Sequence, residues 1–318
     1  MTQPYAVELT PPDITPYRTG NTGVDYVHTF TSDAPGPHVM VNAVTHGNEL
    51  CGAIAVDELL RKKVRPLKGR LTLSFANVEA YLRFDPAEPT ISRYVEEDFN
   101  RIWSPEVLDG PRDSVELQRG RELRPIIDTV DYLFDIHSMQ TNSPPMMMAG
   151  PHPKGRKLSM EVGAPATVVS DAGHREGTRM RDYGCFGDPD HPRNALLVEC
   201  GQHWTHTTAE VALEVTLRFL GHLGVVAEGF ARRHLPPEAP PPQRFVQVTE
   251  AAVIETSDFA FVNHFEGLEV IARKGTTIAH DGGRELVTPY DDCVLIMPTR
   301  RIEVGKTAVR FGRYVDPG

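Results

Sequence analysis

The sequence predicts an α/β fold in which a mixed sheet is flanked by helices and followed by a small C-terminal all-β domain. Through the first three quarters of the 318-residue chain, short apolar segments alternate with helical patterns. Several apolar segments lack polar alternation, as expected of strands that helices cover on both faces of a sheet. A proline-rich stretch then separates this pattern from a tail of short β-like segments.

The apolar segments and the patterns between them predict individual elements in the first part of the chain. The strand candidates are 38–45, 70–76, 131–136, 145–149, 166–170 and 195–200. The helix candidates are 49–63, 114–129, 155–162 and 207–223. Thr207 and Glu210 form a capping-box pattern, in which both side chains satisfy free backbone N–H groups at a helix start. We therefore expect Thr207 to cap the last helix.

The domain boundary is predicted from proline. Residues 236–243 contain five prolines, and proline fixes φ and removes a backbone donor, so we expect an extended linker there. Beyond it, Asp281-Gly282-Gly283 is typical of a hairpin turn. The β-like segments of this part are 245–248, 269–272, 276–279, 294–297 and 308–311. The predicted organisation is one domain over 1–235, the linker over 236–243 and a small β domain over 244–318.

Composition and charge exclude some classes of function. The net charge of −10 argues against a general nucleic-acid binder, which needs a basic face to neutralise phosphates. No apolar stretch is long enough to span a bilayer, so we expect no membrane partner. Residues 1–5 do not resemble a secretory signal, and the four cysteines form no C-x-x-C pair. We therefore expect buried thiols and a cytoplasmic location.

A candidate metal site begins at His46-Gly47-Asn48-Glu49, where a strand candidate gives way to a helical pattern. A His and a Glu three residues apart at such a junction can both turn toward one metal ion. His137 ends another strand candidate and is the candidate third ligand, since ligand sites gather at the carboxyl ends of strands. Alone, the tetrapeptide also fits a solvated helix start, where the helix dipole favours Glu49.

Three further residues are candidates for hydrolytic chemistry. Glu199 lies near the end of an apolar strand candidate, where a carboxylate is costly unless it is paired or used. It is the candidate acid and base that moves a proton from water to a leaving amine, and a salt-bridged structural Glu is the alternative. Asn100 and Arg101 are the candidate clamp for a substrate carboxylate, which Arg binds with two parallel hydrogen bonds. A surface Arg that offsets nearby acids is the alternative.

Together these segments resemble the succinylglutamate desuccinylase/aspartoacylase family, a branch of the zinc carboxypeptidase-like hydrolases. The matching segments occur in the family's order and are 45–49, 98–103, 135–137 and 198–201. The resemblance implies a zinc carboxypeptidase-like catalytic domain that hydrolyses the amide bond of a small N-acyl amino acid or related N-acyl amine. The implied roles are one Zn²⁺ per chain on His46, Glu49 and His137, general base and acid for Glu199, and carboxylate binding for Asn100 and Arg101.

One departure from the family bears on the substrate. The family's Asn-Pro-Arg-Ala segment corresponds to Asn77-Val78-Glu79-Ala80 here, so Glu79 stands where enzymes for acidic substrates carry an Arg. If Glu79 faces the pocket, it repels a side-chain carboxylate, and we then expect a neutral or amine-bearing amino-acid moiety.

A second region is harder to assign from the sequence. The polar, glycine-rich segment 171–193 is predicted to be a loop over the site, with a solvated loop as the alternative. Its candidate substrate contacts are His174, Arg175, Arg179, Arg181, Tyr183, His191 and Arg193. His203 and His206 are interpreted as residues at the entry to the following helix.

Two other functions remain open at this point. The same chemistry would suit a metallocarboxypeptidase-type peptidase that trims C-terminal residues. A non-catalytic member of the family would only bind a metal or ligand, although such a protein has no need of Glu199. The expected partner is a small-molecule substrate. The sequence leaves open the acyl group, the amine, the native metal and the oligomeric state. A homo-oligomer is possible.

Overall fold

A computed structural model describes residues 5–316. The strands are β1 (Val27–Thr31), β2 (His38–Ala43), β3 (Arg70–Phe75), β4 (Tyr132–Met139), β5 (Met146–Met148), β6 (Thr167–Ser170), β7 (Asn194–Gln202), β8 (Arg244–Val253), β9 (Ala260–Phe261), β10 (Val270–Ile271), β11 (Thr277–Asp281), β12 (Arg284–Val287), β13 (Cys293–Ile296) and β14 (Thr307–Val315). The α-helices are α1 (Leu50–Arg61), α2 (Val78–Tyr81), α3 (Pro105–Leu108), α4 (Val115–Ile127), α5 (Pro153–Val162), α6 (His206–His222) and α7 (Glu228–His234). The strands and helices predicted for the first part of the chain are all present.

The main sheet has eleven strands in the order β1-β3-β2-β4-β7-β5-β6-β8-β14-β13-β10. Strands β3, β2, β4 and β7 are parallel neighbours, whereas β5 pairs antiparallel with β7. Every residue of β2 and β7 is buried, which explains why polar and apolar residues do not alternate in these segments. The predicted mixed sheet flanked by helices is therefore confirmed, and the carboxyl ends of β2, β4 and β7 meet at one edge.

Helices and loops cover both faces of this sheet. On one face α1 and α6 pack together, and Phe134 of β4 stacks on Phe219 of α6 at 4.7 Å between ring centroids. The neighbouring residue Leu133 points to the other face, where it joins Leu117 of α4 and Trp103. Among residues 5–316, no helix is both long and apolar enough to cross a membrane.

The C-terminal part is built from strands, as predicted. β8 pairs in parallel with β6 and antiparallel with β14, so it continues the main sheet, and β12, β11 and β9 form a separate three-stranded sheet. Gly282 and Gly283 connect β11 to β12 with φ of 55° and 81°. Two positive φ angles in a two-residue loop confirm the predicted hairpin turn. The division into domains at 235 and 244 stays a prediction.

The predicted capping box of α6 is wrong. The helix begins at His206, with Thr205 at the N-cap position and no side-chain capping bond. Instead, the backbone N–H of His206 donates to Oε2 of Glu8 at 2.9 Å. The acceptor comes from a segment about two hundred positions earlier in the chain, which a local pattern around Thr207 does not reveal.

Candidate metal centre and active site

The turn after β2 brings His46 and Glu49 to the same side. Gly47 is required there, because a Cβ atom on it would lie 2.4 Å from the carbonyl carbon of Ala80 and from the carbonyl oxygen of Ser92. The N–H of Gly47 donates to the carbonyl of Arg93 at 3.1 Å, which fixes the turn against a neighbouring loop. Glu49 then stands at the N-cap position of α1, with its side chain over the carboxyl ends of the strands.

His46, Glu49 and His137 form a buried cluster that could hold a metal ion. Nδ1 of His46 lies 2.8 Å from Oε1 of Glu49, and Nδ1 of His137 lies 2.9 Å from Oε2 of the same carboxylate. One ligand atom from each residue lies within 4.8 Å of the others, and no side chain of the three is more than 3% exposed. The parallel pairing of β2 with β4 brings the two histidines together.

The outer nitrogens of both imidazoles are held by carboxylates. Nε2 of His137 lies 2.8 Å from Oδ2 of Asp135, and Nε2 of His46 lies 3.0 Å from Oδ1 of Asp98. A carboxylate on the outer nitrogen is the usual support for a metal-binding His, because it sets the tautomer and leaves the other nitrogen free to bind. Two imidazoles and a carboxylate are also a donor set that zinc accepts. The residues present therefore fit a zinc ion.

Glu199 faces the same site from β7. It pairs with His137 in the register of β4 and β7, is 7% exposed, and its Oε2 has no hydrogen-bond partner among the described residues. Burial raises the pKa of Glu199 to about 8, against the opposing effect of His137. A carboxyl group that titrates near neutral pH can both accept and release a proton. The alternative of a salt-bridged structural Glu does not fit this side chain.

A cavity of about 400 Å³ opens over this cluster. The six residues predicted to bind the metal, act in catalysis or hold the substrate's carboxylate all line it, namely His46, Glu49, Asn100, Arg101, His137 and Glu199. The structure therefore brings together residues that are as far apart in the chain as His46 and Glu199. Their roles in binding and catalysis stay predictions.

Asn100 and Arg101 have different surroundings within the cavity. Oδ1 of Asn100 accepts from the N–H of Met180 at 3.0 Å and so fastens the 171–193 segment to the site. Nη2 of Arg101 contacts Nδ1 of His174 at 3.3 Å, whereas Nε of Arg101 has no partner among the described residues. The nearest carboxylate oxygen paired with Arg101 is Oε2 of Glu176 at 3.9 Å. Arg101 is therefore not a surface Arg that offsets nearby acids.

Arg93 is a site residue that the sequence analysis missed. Its Nη2 atom lies 2.9 Å from Nε2 of His46 and 3.2 Å from Oδ2 of Asp98, and the residue lines the cavity. The signal that could have found it is its position, five residues before Asp98, where the segment 98–103 that resembles the family begins.

His203 lies in the turn between β7 and α6, at the approach to the helix as expected, and it also lines the cavity, which was not expected. Nδ1 of His203 lies 2.8 Å from Oγ of Ser138, and its buried Nε2 has no partner among the described residues. Burial lowers the pKa of His203 to about 3, so the ring is neutral. His206 is the first residue of α6, as predicted.

Glu79 does not face the pocket. It is exposed in the first turn of α2 and is not part of the cavity wall. The condition for repelling an acidic substrate is therefore not met, and the expectation of a neutral or amine-bearing substrate loses its basis.

The 171–193 segment lies over the site but is not simply solvated. Of its seven candidate contacts, His174 and Arg179 line the cavity. Arg179 is buried and binds both oxygens of Asp171, at 2.7 and 2.9 Å. Arg181 is also buried and donates to the backbone carbonyls of Ala149 and Ala195. Buried arginines therefore anchor this segment to the sheet.

Comparison with known proteins adds the family and the fold. The sequence matches the model of the succinylglutamate desuccinylase/aspartoacylase catalytic domain over residues 35–223. No curated protein sequence matches the chain.

Several solved structures share the fold at low sequence identity. A succinylglutamate desuccinylase from Vibrio parahaemolyticus aligns with a TM-score of 0.65 and 15% identity, over 92% of this chain and 87% of its own. The ectoine utilization protein EutE from Ruegeria pomeroyi aligns with a TM-score of 0.62 and 15% identity, over 90% and 88%. Murine aminoacylase 3 aligns with a TM-score of 0.62 and 15% identity, over 89% and 97%. Because the family match spans more than half of its length, this chain belongs to the succinylglutamate desuccinylase/aspartoacylase family.

Proposed function

We propose that this protein is a zinc-dependent hydrolase that cleaves the amide bond of a small N-acyl amino acid or related N-acyl amine. The observation that carries the proposal is the convergence of His46 and His137 on Glu49, beside the carboxylate of Glu199, whose Oε2 has no hydrogen-bond partner among the described residues. Three protein ligands are typical of a catalytic zinc site, which keeps one position open. Family membership and the names of two similar structures, a desuccinylase and an aminoacylase, agree with a deacylase.

The side chains around the cluster have different roles in hydrolysis. A zinc ion held by His46, Glu49 and His137 would lower the pKa of a water molecule and polarise the amide carbonyl. Glu199 takes a proton from the attacking water and later gives it to the amine when the C–N bond breaks. The guanidinium of Arg93, which lies beside His46, donates to the carbonyl oxygen as negative charge develops on it.

The cavity favours a small substrate over a peptide. Its volume of about 400 Å³ is within the range of pockets for small molecules. Residues of the C-terminal part, among them Pro298, Glu303 and Thr307, form part of its wall. We assign Asn100 and Arg101, which line the cavity, to binding a carboxylate of such a substrate. We therefore prefer the deacylase to the metallocarboxypeptidase-type peptidase.

The first experiment measures zinc per chain and turnover together. Purified wild-type protein should contain about one zinc ion per chain, and His137→Ala should lose most of it. Glu199→Gln should keep zinc but lose turnover of N-acyl amino acids by about 10²–10⁴-fold, because the proton acceptor is gone. Glu79→Gln removes the same charge outside the cavity and is the control, with unchanged turnover expected.

The outcomes separate the alternatives. Wild-type protein that fails to take up zinc would overturn the metal site. Undiminished turnover in Glu199→Gln would remove Glu199 from its role. Release of C-terminal residues from peptides faster than any N-acyl amino acid is hydrolysed would favour the peptidase.

We further propose that the enzyme works in the cytoplasm on a small-molecule substrate and without a nucleic-acid partner. The net charge of −10 and the lack of a C-x-x-C pair in the sequence support this. Fractionation of cells that produce the protein from its full gene would test the location.

A further inference from the structure

Arg310 lies outside the segment that the family model matches, yet its side chain reaches the cavity. It belongs to β14, where it pairs with Ala251 of β8 on one side and with Ile296 of β13 on the other. A residue in the middle of three paired strands has a fixed backbone position. Arg310 is only 4% exposed, so the C-terminal strands place a buried cation in the wall of the catalytic cavity.

Arg310 and Arg101 converge on a single acceptor. Nη2 of Arg310 lies 2.7 Å from Nδ1 of His174, and Nη2 of Arg101 lies 3.3 Å from the same atom. Burial and the two flanking guanidinium groups hold the pKa of His174 well below its usual value, so the imidazole is neutral. One neutral nitrogen is therefore shared by two cations that are far apart in the sequence.

The carboxylates around these two arginines belong mainly to other cations. Both oxygens of Asp171 accept from Arg179, and Oε2 of Glu176 lies 3.3 Å from Nζ of Lys306. The same two carboxylates reach Arg310 and Arg101 only at 3.9 Å, beyond hydrogen-bond distance.

Among the described residues, neither guanidinium group therefore has a carboxylate within hydrogen-bond distance. Nε of Arg101 is buried and has no hydrogen-bond partner among the described residues. Nη1 of Arg101 donates to the carbonyl of Asn100 at 2.7 Å, but this neutral partner does not balance the charge. A buried cation without a hydrogen-bonded counter-ion is costly, whereas a carboxylate between two guanidinium groups forms charge-assisted hydrogen bonds with both. The place that Nδ1 of His174 occupies suits a carboxylate oxygen.

We propose that Arg310 is the second cation of a carboxylate subsite that it shares with Arg101. In this subsite a carboxylate on the amine part of the substrate takes the place of His174 between the two arginines. Arg310 thereby makes the enzyme selective for N-acyl amino acids over N-acyl amines that lack a carboxylate. This inference rests on the proposed function, because it assigns the substrate class of the same cavity.

The test compares each acid with its neutral amide. Calorimetry measures the binding of the N-acetyl derivatives of glycine, aspartate and lysine, and of the α-carboxamide of each. Where turnover occurs, KM and kcat are measured as well. Wild type should bind at least one acid about tenfold or more tightly than its amide, a ratio typical of hydrogen bonds to a charged group. Arg310→Gln should lose most of this preference, with raised KM for the acid and unchanged affinity for the amide.

Two further variants control for charge and folding. Arg313→Gln removes a cation from the same strand, where the exposed Arg313 lies over the ring of Tyr290, and should keep the wild-type preference. Arg310→Lys keeps the charge but not the two-pronged geometry, so its preference should be reduced. If Arg310→Gln does not fold, Arg310→Lys decides, and an unchanged preference in it would overturn the proposal.

Failure of the subsite and failure of the function give different results. A wild type that prefers no acid over its amide, or an Arg310→Gln variant that keeps the preference, overturns the role of Arg310 even if hydrolysis occurs. A preference that is lost in Arg310→Gln, without turnover of any compound, supports the subsite and counts against the proposed hydrolase.

Discussion

Replacing Asp135 by Asn should weaken zinc binding without removing a ligand. Asp135 is fully buried on β4, two residues before His137, and its carboxylate takes part in three hydrogen bonds. Oδ2 accepts from Nε2 of His137 at 2.8 Å, while Oδ1 accepts from Nδ2 of Asn42 at 2.8 Å and from Oγ1 of Thr45 at 2.9 Å. Asn has the same shape but only one acceptor oxygen.

Neither orientation of the new amide satisfies these neighbours. If its oxygen faces Asn42 and Thr45, its NH₂ group meets the N–H of His137. If the amide is reversed, its NH₂ group meets the NH₂ group of Asn42. Either way a buried donor is unsatisfied, which costs about 1–3 kcal/mol. Loss of an outer carboxylate typically weakens metal affinity by about 10–100-fold, or about 1.4–2.8 kcal/mol, which is of the same order.

The assay is competition for zinc with a chromogenic chelator. Asp131→Asn is the matched control, because Asp131 directly precedes β4, accepts from the N–H of His38 at 2.8 Å and lies outside the cavity wall. We expect zinc affinity to fall about 10–100-fold in Asp135→Asn and to be unchanged in Asp131→Asn. Wild-type affinity in Asp135→Asn would refute the idea that this carboxylate supports His137 as a ligand.

Two further predictions concern stability. Gly47→Ala should lower the free energy of unfolding by about 1–3 kcal/mol or more, because the added Cβ atom would lie 2.4 Å from the carbonyl carbon of Ala80. Thermal unfolding beside Gly221→Ala, where the nearest atom would be 3.8 Å away, checks this, and equal melting temperatures would contradict it. Asp171→Asn should cost about 3–5 kcal/mol at neutral pH, because it removes the bidentate partner of buried Arg179. Burial opposes ionisation of Asp171, but Arg179 holds the pKa of Asp171 below the usual value. The stabilisation by this ion pair is therefore fully present above about pH 3.9, the usual pKa of Asp. It is lost as the pH falls through the lower pKa of the folded state. The free energy of unfolding of wild type and variant, measured in urea, should therefore differ less at pH 3 than at pH 7. An equal difference at both pH values would contradict the assignment.

The three residues of the candidate metal site could be singled out because their signal is local. His46 and Glu49 share one turn, and His137 ends a strand whose apolar sequence is easily recognised. A parallel sheet brings the carboxyl ends of such strands to one edge, so separate short motifs predict a common site. The alternation of apolar segments and helical patterns predicted the main sheet for the same reason.

Residues placed by long-range packing could not be found in this way. Arg93 lies in an irregular loop, and Arg310 reaches the cavity only because β14 pairs with β8 and β13. The sequence pattern around Arg310 predicts an ordinary strand and gives no sign of a functional residue. Glu79 was assigned by correspondence with a family motif, but the exposed turn of α2 directs it to solvent. Side-chain direction in a short helix depends on tertiary contacts that a motif does not encode.

The pairing of β8 with both β6 and β14 has a consequence for folding. A chain that ended before residue 244 would leave β6 as an edge strand, with a row of unpaired N–H and C=O groups. Such an edge is a template for pairing with other chains and hence for aggregation. The C-terminal strands cover this edge, and so they guard the sheet against misassembly independently of anything that binds in the cavity.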